Sequence, residues 1–195
     1  MIIFERLVIL GVGLMGGSLA LAAKKSGVVS TVVGWSRTAS TLQAALANGV
    51  IDHAEADLAE ALKGADCVVV ATPTILAETI MIQALDQLPA TVAVTDVASV
   101  KGNIADALTA HFGKVPANAI LGHPIAGSEQ SGVSAAKEDL YKNHRVILIN
   151  EAAVEPQTDA ALLAKVTQLW QAVGAEVFEM SVAEHDHVLA LTSHL

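Results

Sequence analysis

One cysteine in 195 residues leaves nothing from which to build a disulfide framework. That residue, Cys67, lies in the apolar run Asp66-Cys67-Val68-Val69-Val70-Ala71 and reads as a small buried hydrophobe rather than a nucleophile. Positive charge is also scarce: 11 Lys and Arg stand against 20 Asp and Glu, a net charge of −9. Nucleic acid and anionic membrane both demand a basic face, so both are excluded as partners, while a local basic pocket for one phosphate is not. Repeats, low-complexity tracts and linkers are missing too. With 53% hydrophobic and 16% charged residues, the chain has the makeup of a well-buried α/β core, not of a disordered segment. Leu7 to Ala23 carries no charge, but glycines interrupt it, which disfavours a transmembrane helix. The preceding stretch holds both Glu5 and Arg6, so it lacks the net positive charge of a signal peptide. Without an export signal or disulfides, the expected compartment is the cytoplasm.

What is present is organised around Leu7-Val8-Ile9-Leu10-Gly11-Val12-Gly13-Leu14-Met15-Gly16-Gly17-Ser18-Leu19. A β-branched apolar run leads into Gly-x-Gly-x-x-Gly, and the apolar spacing then turns helical, which is the context a dinucleotide-binding fingerprint requires. Gly11 serves the tight turn, Gly13 the close approach of a pyrophosphate, and Gly16 the packing of helix on strand. The helix begun near Leu14 and Met15 aims unpaired N–H groups and its positive end at the phosphates.

Further along, Ser30 to Trp35 reads as a second strand. At its end a dinucleotide fold that takes NAD places an acidic residue for the ribose hydroxyl; here the chain runs Ser36-Arg37-Thr38. A hydroxyl followed by a guanidinium can accept the 2′-phosphate that a carboxylate would repel, so NADP is the expected cofactor and NAD the alternative. Helices follow over 41–48 and 58–62, with 51–57 as a connector. Cys67 to Ala71 is a third strand ending at Thr72-Pro73, both expected to border the cofactor. The pattern continues as helix 75–88, strand 91–96, helix 104–112, strands 119–122 and 145–149, helix 160–173 and strand 176–180. Strands alternating with helices predict a Rossmann-like, doubly wound, mainly parallel sheet covered on both faces. Residues 1–180 form this dinucleotide-binding domain. A new helix begins at Val182 and has no stop signal before Leu195, so 181–195 reads as the start of a further, truncated helical domain.

Two polar clusters follow strands, where such a sheet puts its ligands. Asp96-Val97-Ala98-Ser99-Val100-Lys101 admits a capping role for Ser99 at the next helix. Gly122-His123-Pro124-Ile125-Ala126-Gly127-Ser128-Glu129-Gln130-Ser131-Gly132 packs a histidine and a carboxylate into a glycine-rich loop. His123, titrating near neutrality, can take a proton from a hydroxyl while a nicotinamide takes the hydride. A third cluster, Glu184-His185-Asp186-His187, suggests a metal, but histidines two apart on a helix face different ways, and no metal is expected. His194 alone reads as a core or boundary histidine.

Together these motifs, with His185-Asp186 leading to Thr192-Ser193-His194-Leu195, resemble the prephenate/arogenate dehydrogenase family of tyrosine biosynthesis over the whole chain. His-Pro-Ile-Ala-Gly-Ser-Glu, residues 123–129, is the most specific of them. The resemblance implies NAD(P)-dependent oxidative decarboxylation of prephenate or arogenate, a cyclohexadiene bearing a 4-hydroxyl. It casts His123 as the group that deprotonates that hydroxyl and Ser99 as the partner that orients His123 and touches the hydroxyl and nicotinamide. Ser128, Glu129 and His194 are cast as residues shaping the substrate site. Family members continue past Ser-His-Leu into an all-helical domain that forms a homodimer and carries a substrate-binding arginine, so this chain alone is expected to bind cofactor yet turn over poorly. Ala98 stands where the family often has glycine. A non-catalytic NAD(P)-binding regulatory module and a β-hydroxyacid-type dehydrogenase are the competing readings.

Overall fold

The structure, a computed structural model, describes residues 1–150 and 158–192. Its first strand, β1 (Phe4–Leu10), shows why the opening run is apolar without alternation. Leu7 and Ile9 point into one hydrophobic core, Val8 and Leu10 into another, so neither face of the strand meets water. Around it assemble α1 (Leu14–Lys25), β2 (Val29–Trp35), α2 (Ala39–Ala47), β3 (His53–Glu55), α3 (Leu58–Leu62), β4 (Cys67–Val70), α4 (Thr74–Gln87), β5 (Ala93–Asp96), α5 (Gly102–Phe112) and β6 (Ala119–Ile120). The six strands form one sheet in the order β3-β2-β1-β4-β5-β6, every pairing parallel. Cys67 is fully buried in β4, and burial pushes its thiol pKa up, as fits a packing residue.

The two cores account for the double winding. Leu19, Leu42, Val166 and Trp170 place α1, α2 and α6 (Ala160–Ala172) on one face. Leu62, Met81, Ile104 and Leu108 place α3, α4 and α5 on the other. Two strands depart from the sequence reading. β3 lies within the expected connector 51–57; it is three residues long, largely polar, and sits at the sheet edge, so it carries no apolar signal. The other departure is larger. Gly122–Ile125 is not loop but a strand, β7, antiparallel to β8 (Arg145–Ile149), which pairs in parallel with β9 (Glu176–Met180) in a separate three-stranded sheet. Pro124 disguises it: proline lacks the ladder donor and is tolerated only at an edge, which β7 is.

The final element, α7 (Val182–Thr192), opens with a reciprocal cap. Glu184 accepts from the Ser181 N–H at 2.8 Å, and Ser181 Oγ accepts from the Glu184 N–H at 3.2 Å. Among the described residues no helix is long and apolar enough to cross a membrane.

Candidate active site

The strand order reverses between β1 and β4, with α1 leaving to one face and α4 to the other, so a crevice opens beyond their carboxyl ends. The glycine turn fills the β1 side. Gly11 has φ +105°, and a Cβ there would stand 2.6 Å from the Ala71 carbonyl oxygen. Only glycine fits. Gly16 lies beneath the turn, where a Cβ would press on the Gly11 carbonyl and stand 2.7 Å from Ile9 Cγ2. It packs helix on strand, as expected, and does not line the crevice. At Gly13 a Cβ would meet nothing within 4 Å, and the backbone is extended at φ −98°. Gly13 caps α1 without a side chain, and the first turn holds no acidic residue, so the helix's positive end is left for an anion.

Two connected chambers run along this crevice. The first, about 470 Å³, is lined by Gly11, Ser36, Arg37, Thr38, Thr72 and Pro73, together with Trp35 and residues of α4. The second, about 430 Å³, is lined by Gly13, Leu14, Met15, Thr72, Pro73, Ser99 and His123, among others. Thr72 and Pro73 border both. The Thr72 hydroxyl is buried and has no hydrogen-bond partner among the described residues, a combination that calls for a further group. An open glycine at a bare helix start and this orphaned hydroxyl fit a dinucleotide lying from one chamber to the other. Arg37 is exposed at the mouth of the first, and Ser36 Oγ accepts from the Thr38 N–H at 3.1 Å, forming the turn that presents it.

His123 sits on β7, buried, with an edge on the second chamber. Its strand is clipped to β5 by a buried ion pair. The Lys101 ammonium donates to the Asp96 carboxylate and, at 2.7 Å, to the Gly122 carbonyl. Asp96 also accepts from the N–H groups of Gly122 at 3.0 Å and Ala98 at 2.9 Å. Burial pulls the Lys101 pKa below the ordinary lysine value, against the attraction of Asp96. Burial, His185 and Lys101 together lower the His123 pKa to about 4, so its imidazole is neutral at physiological pH.

The ring partner of His123 is not Ser99. His123 Nδ1 lies 2.9 Å from Nε2 of His185, whose Nδ1 lies 2.7 Å from Asp186 Oδ1. Asp186 Oδ2 accepts from the Gly102 N–H at 3.1 Å, so this carboxylate, not Ser99, caps the start of α5. Ser99 lines the same chamber as His123 and a neighbouring hollow of about 460 Å³ that Asn103 and Asp186 also border. His185 is buried and His187 exposed, as their spacing requires, and both nitrogens of His185 are engaged.

Not every expected residue is brought here. Ser128 and Glu129 are exposed and line neither chamber; Ser128 Oγ accepts from the Gln130 N–H at 3.2 Å. His194 falls outside the described residues. Lys101 and the pair His185–Asp186 acquire roles that sequence reasoning did not give them. The signals were a lysine five residues after a strand-end aspartate, and a histidine–aspartate pair just past a capping box.

Residues 19–179 match the family described as prephenate dehydrogenase, nucleotide-binding domain. The cyclohexadienyl dehydrogenase of Zymomonas mobilis is 32% identical over 196 residues, an alignment covering 100% of this chain and 64% of that protein. The prephenate dehydrogenase of Aquifex aeolicus, solved in complex with hydroxyphenyl propionate and NAD+, is similar with a TM-score of 0.85 and 31% identity, over 95% of this chain and 63% of that one. Arogenate dehydrogenase of Synechocystis gives a TM-score of 0.86 and 30% identity, over 97% and 64%. The chain thus spans less than two thirds of the length of these relatives.

Proposed function

We propose, for a chain that belongs to the prephenate dehydrogenase family, that it is the cofactor-binding and proton-accepting part of an NAD(P)-dependent dehydrogenase acting on prephenate or arogenate. The observation that carries this reading is the meeting, in one crevice, of the glycine turn and a buried neutral histidine. The bound nicotinamide supplies the hydride acceptor. Gly13 and the first N–H groups of α1 would hold its pyrophosphate, with Thr72 and Pro73, which border both chambers, alongside. His123 accepts the proton of the substrate 4-hydroxyl, with Ser99 alongside to donate to the same oxygen. Loss of that proton drives electrons toward a carbonyl at the carbon that surrenders hydride, and release of CO₂ follows because the product ring becomes aromatic. The protein's own contribution is register: His123 stands on β7, and the glycine turn and Thr72 follow directly on the ends of β1 and β4.

NADP is the preferred cofactor in this reading, supported by Ser36-Arg37-Thr38 lining the first chamber with no carboxylate at the end of β2. Ser128, Glu129 and His194 are assigned to the substrate site on the family resemblance alone, since Ser128 and Glu129 line neither chamber. We assign 1–180 to the dinucleotide-binding domain and 181–195 to the start of a helical domain through which a homodimer forms, in the cytoplasm. The test is cofactor reduction with NAD and NADP, on prephenate and on arogenate, by this chain and by a version extended to the relatives' length. Turnover by the extended protein that falls by about 10³-fold in His123→Asn supports the reading. Wild-type rates in that variant, or cofactor binding without turnover on either substrate, would overturn it.

A further inference from the structure

His123 can act as a base only through a nitrogen that carries no proton, and a neutral imidazole has one such nitrogen and one N–H. Which is which follows from the contacts behind the ring. The Asp186 carboxylate, when ionised, only accepts, so the His185 nitrogen 2.7 Å from it, Nδ1, carries a proton. With that single proton on the ring, His185 has a bare Nε2. That nitrogen lies 2.9 Å from His123 Nδ1, which must therefore be the donor. His123 Nε2 is left with its lone pair. The geometry points to Asp186 as a positioning residue that, through His185, fixes His123 in the Nδ1–H tautomer and so leaves Nε2 as the base. This rests on the proposed role of His123 and adds to it a residue that does not line the chamber His123 faces.

Other features support the assignment. Both bonds of the chain are buried at the His185 end, where His185 is fully inaccessible, so water does not compete for its nitrogens. Asp186 is itself fixed by accepting from the Gly102 N–H with its second oxygen. When His123 takes a proton at Nε2, its Nδ1–H still donates to His185, so the ring keeps its orientation. Lys101, close by, opposes a positive charge on His123.

Asp186→Asn separates tautomer control from mere support. An asparagine oxygen can still cap Gly102 N–H, but its amide nitrogen can then donate to His185 Nδ1, which reverses both histidine tautomers. Nitrogen-15 spectra of histidine-labelled protein read each ring directly. The expected wild-type result is Nδ1–H on both His123 and His185. In Asp186→Asn, His123 is expected to pass wholly or partly to the Nε2–H form, with the melting curve little changed. In the extended protein that variant is expected to lose about 10- to 100-fold in kcat with KM for the cofactor unmoved. Wild-type His123 with its proton on Nε2 overturns the inference, even should the variant fail to fold. So does a variant in which both tautomers are retained. Correct tautomers in a wild-type protein that turns over neither substrate would instead refute the proposed function and leave the assignment standing.

Discussion

Lys101 offers the sharpest test of how the site is held. Its side chain and that of Asp96 are fully buried, and Lys101→Met removes the cation while nearly keeping the volume. The loss strands a carboxylate and takes a donor from the Gly122 carbonyl. Breaking a buried pair from one side costs about 3–5 kcal/mol. Asp96 keeps two backbone donors, the N–H groups of Ala98 and Gly122, which argues for the lower end, about 3 kcal/mol. Against a total stability of about 5–15 kcal/mol, that is a large share. Adding Asp96→Asn removes the stranded charge, at the expense of one mismatched backbone donor, and should recover about 1–2 kcal/mol. Urea unfolding monitored through the buried Trp35 and Trp170 measures both variants. A single-variant loss below about 1 kcal/mol, or a double variant weaker than the single, would refute the account of β7 as clipped to β5 by this pair. The same substitution removes a positive charge that helps depress His123, so its protonation midpoint should rise from about 4.

Three other outcomes are expected. Gly11→Ala, forced against the Ala71 carbonyl at positive φ, should cost about 2 kcal/mol or more in urea, whereas Gly13→Ala should leave stability unchanged and weaken cofactor binding by calorimetry at least about 10-fold. Arg37→Ala should weaken NADPH more than NADH, and equal weakening would remove the argument for a 2′-phosphate site. Because the His123 pKa is lowered in the folded state, the unfolded chain binds the extra proton first as pH falls. Its contribution to stability is whole above about 6.5 and drains away toward pH 4, so unfolding at pH 7 and pH 5 should differ, and the difference should shrink in His123→Asn.

The parts of the fold that were legible are those where one local rule governs. Leu7–Leu10 and Cys67–Val70 are apolar on both faces because both faces are buried, and that alone marks central parallel strands. The crevice followed from strand order, and Gly11, Gly13, Ser36, Arg37, Thr38, Thr72 and Pro73 all lie on it. β3 and β7 were not legible, since an edge strand needs neither an apolar run nor a full set of donors. His53-Ala54-Glu55 and Gly122-His123-Pro124-Ile125 therefore look like loops until a neighbouring strand pairs with them.

The chain behind His123 lay deeper still, for a reason that concerns chemistry more than prediction. Sixty-two residues separate His123 from His185, and neither residue alone says which of its nitrogens holds a proton. Sequence spacing could weigh His185 and His187 only as possible ligands of one metal and find them on different faces. Their real difference is burial: His187 meets solvent, while His185 is sealed between His123 and Asp186. A base whose pKa is depressed by burial gains nothing from being neutral if its lone pair faces the wrong way. Depressing the pKa is a property of the pocket, but aiming the lone pair needs a fixed acceptor behind the ring, and α7 supplies it. An α7 that only packed against the sheet could be replaced by any amphipathic helix; one that orients His123 cannot, and the tautomer in Asp186→Asn decides between the two.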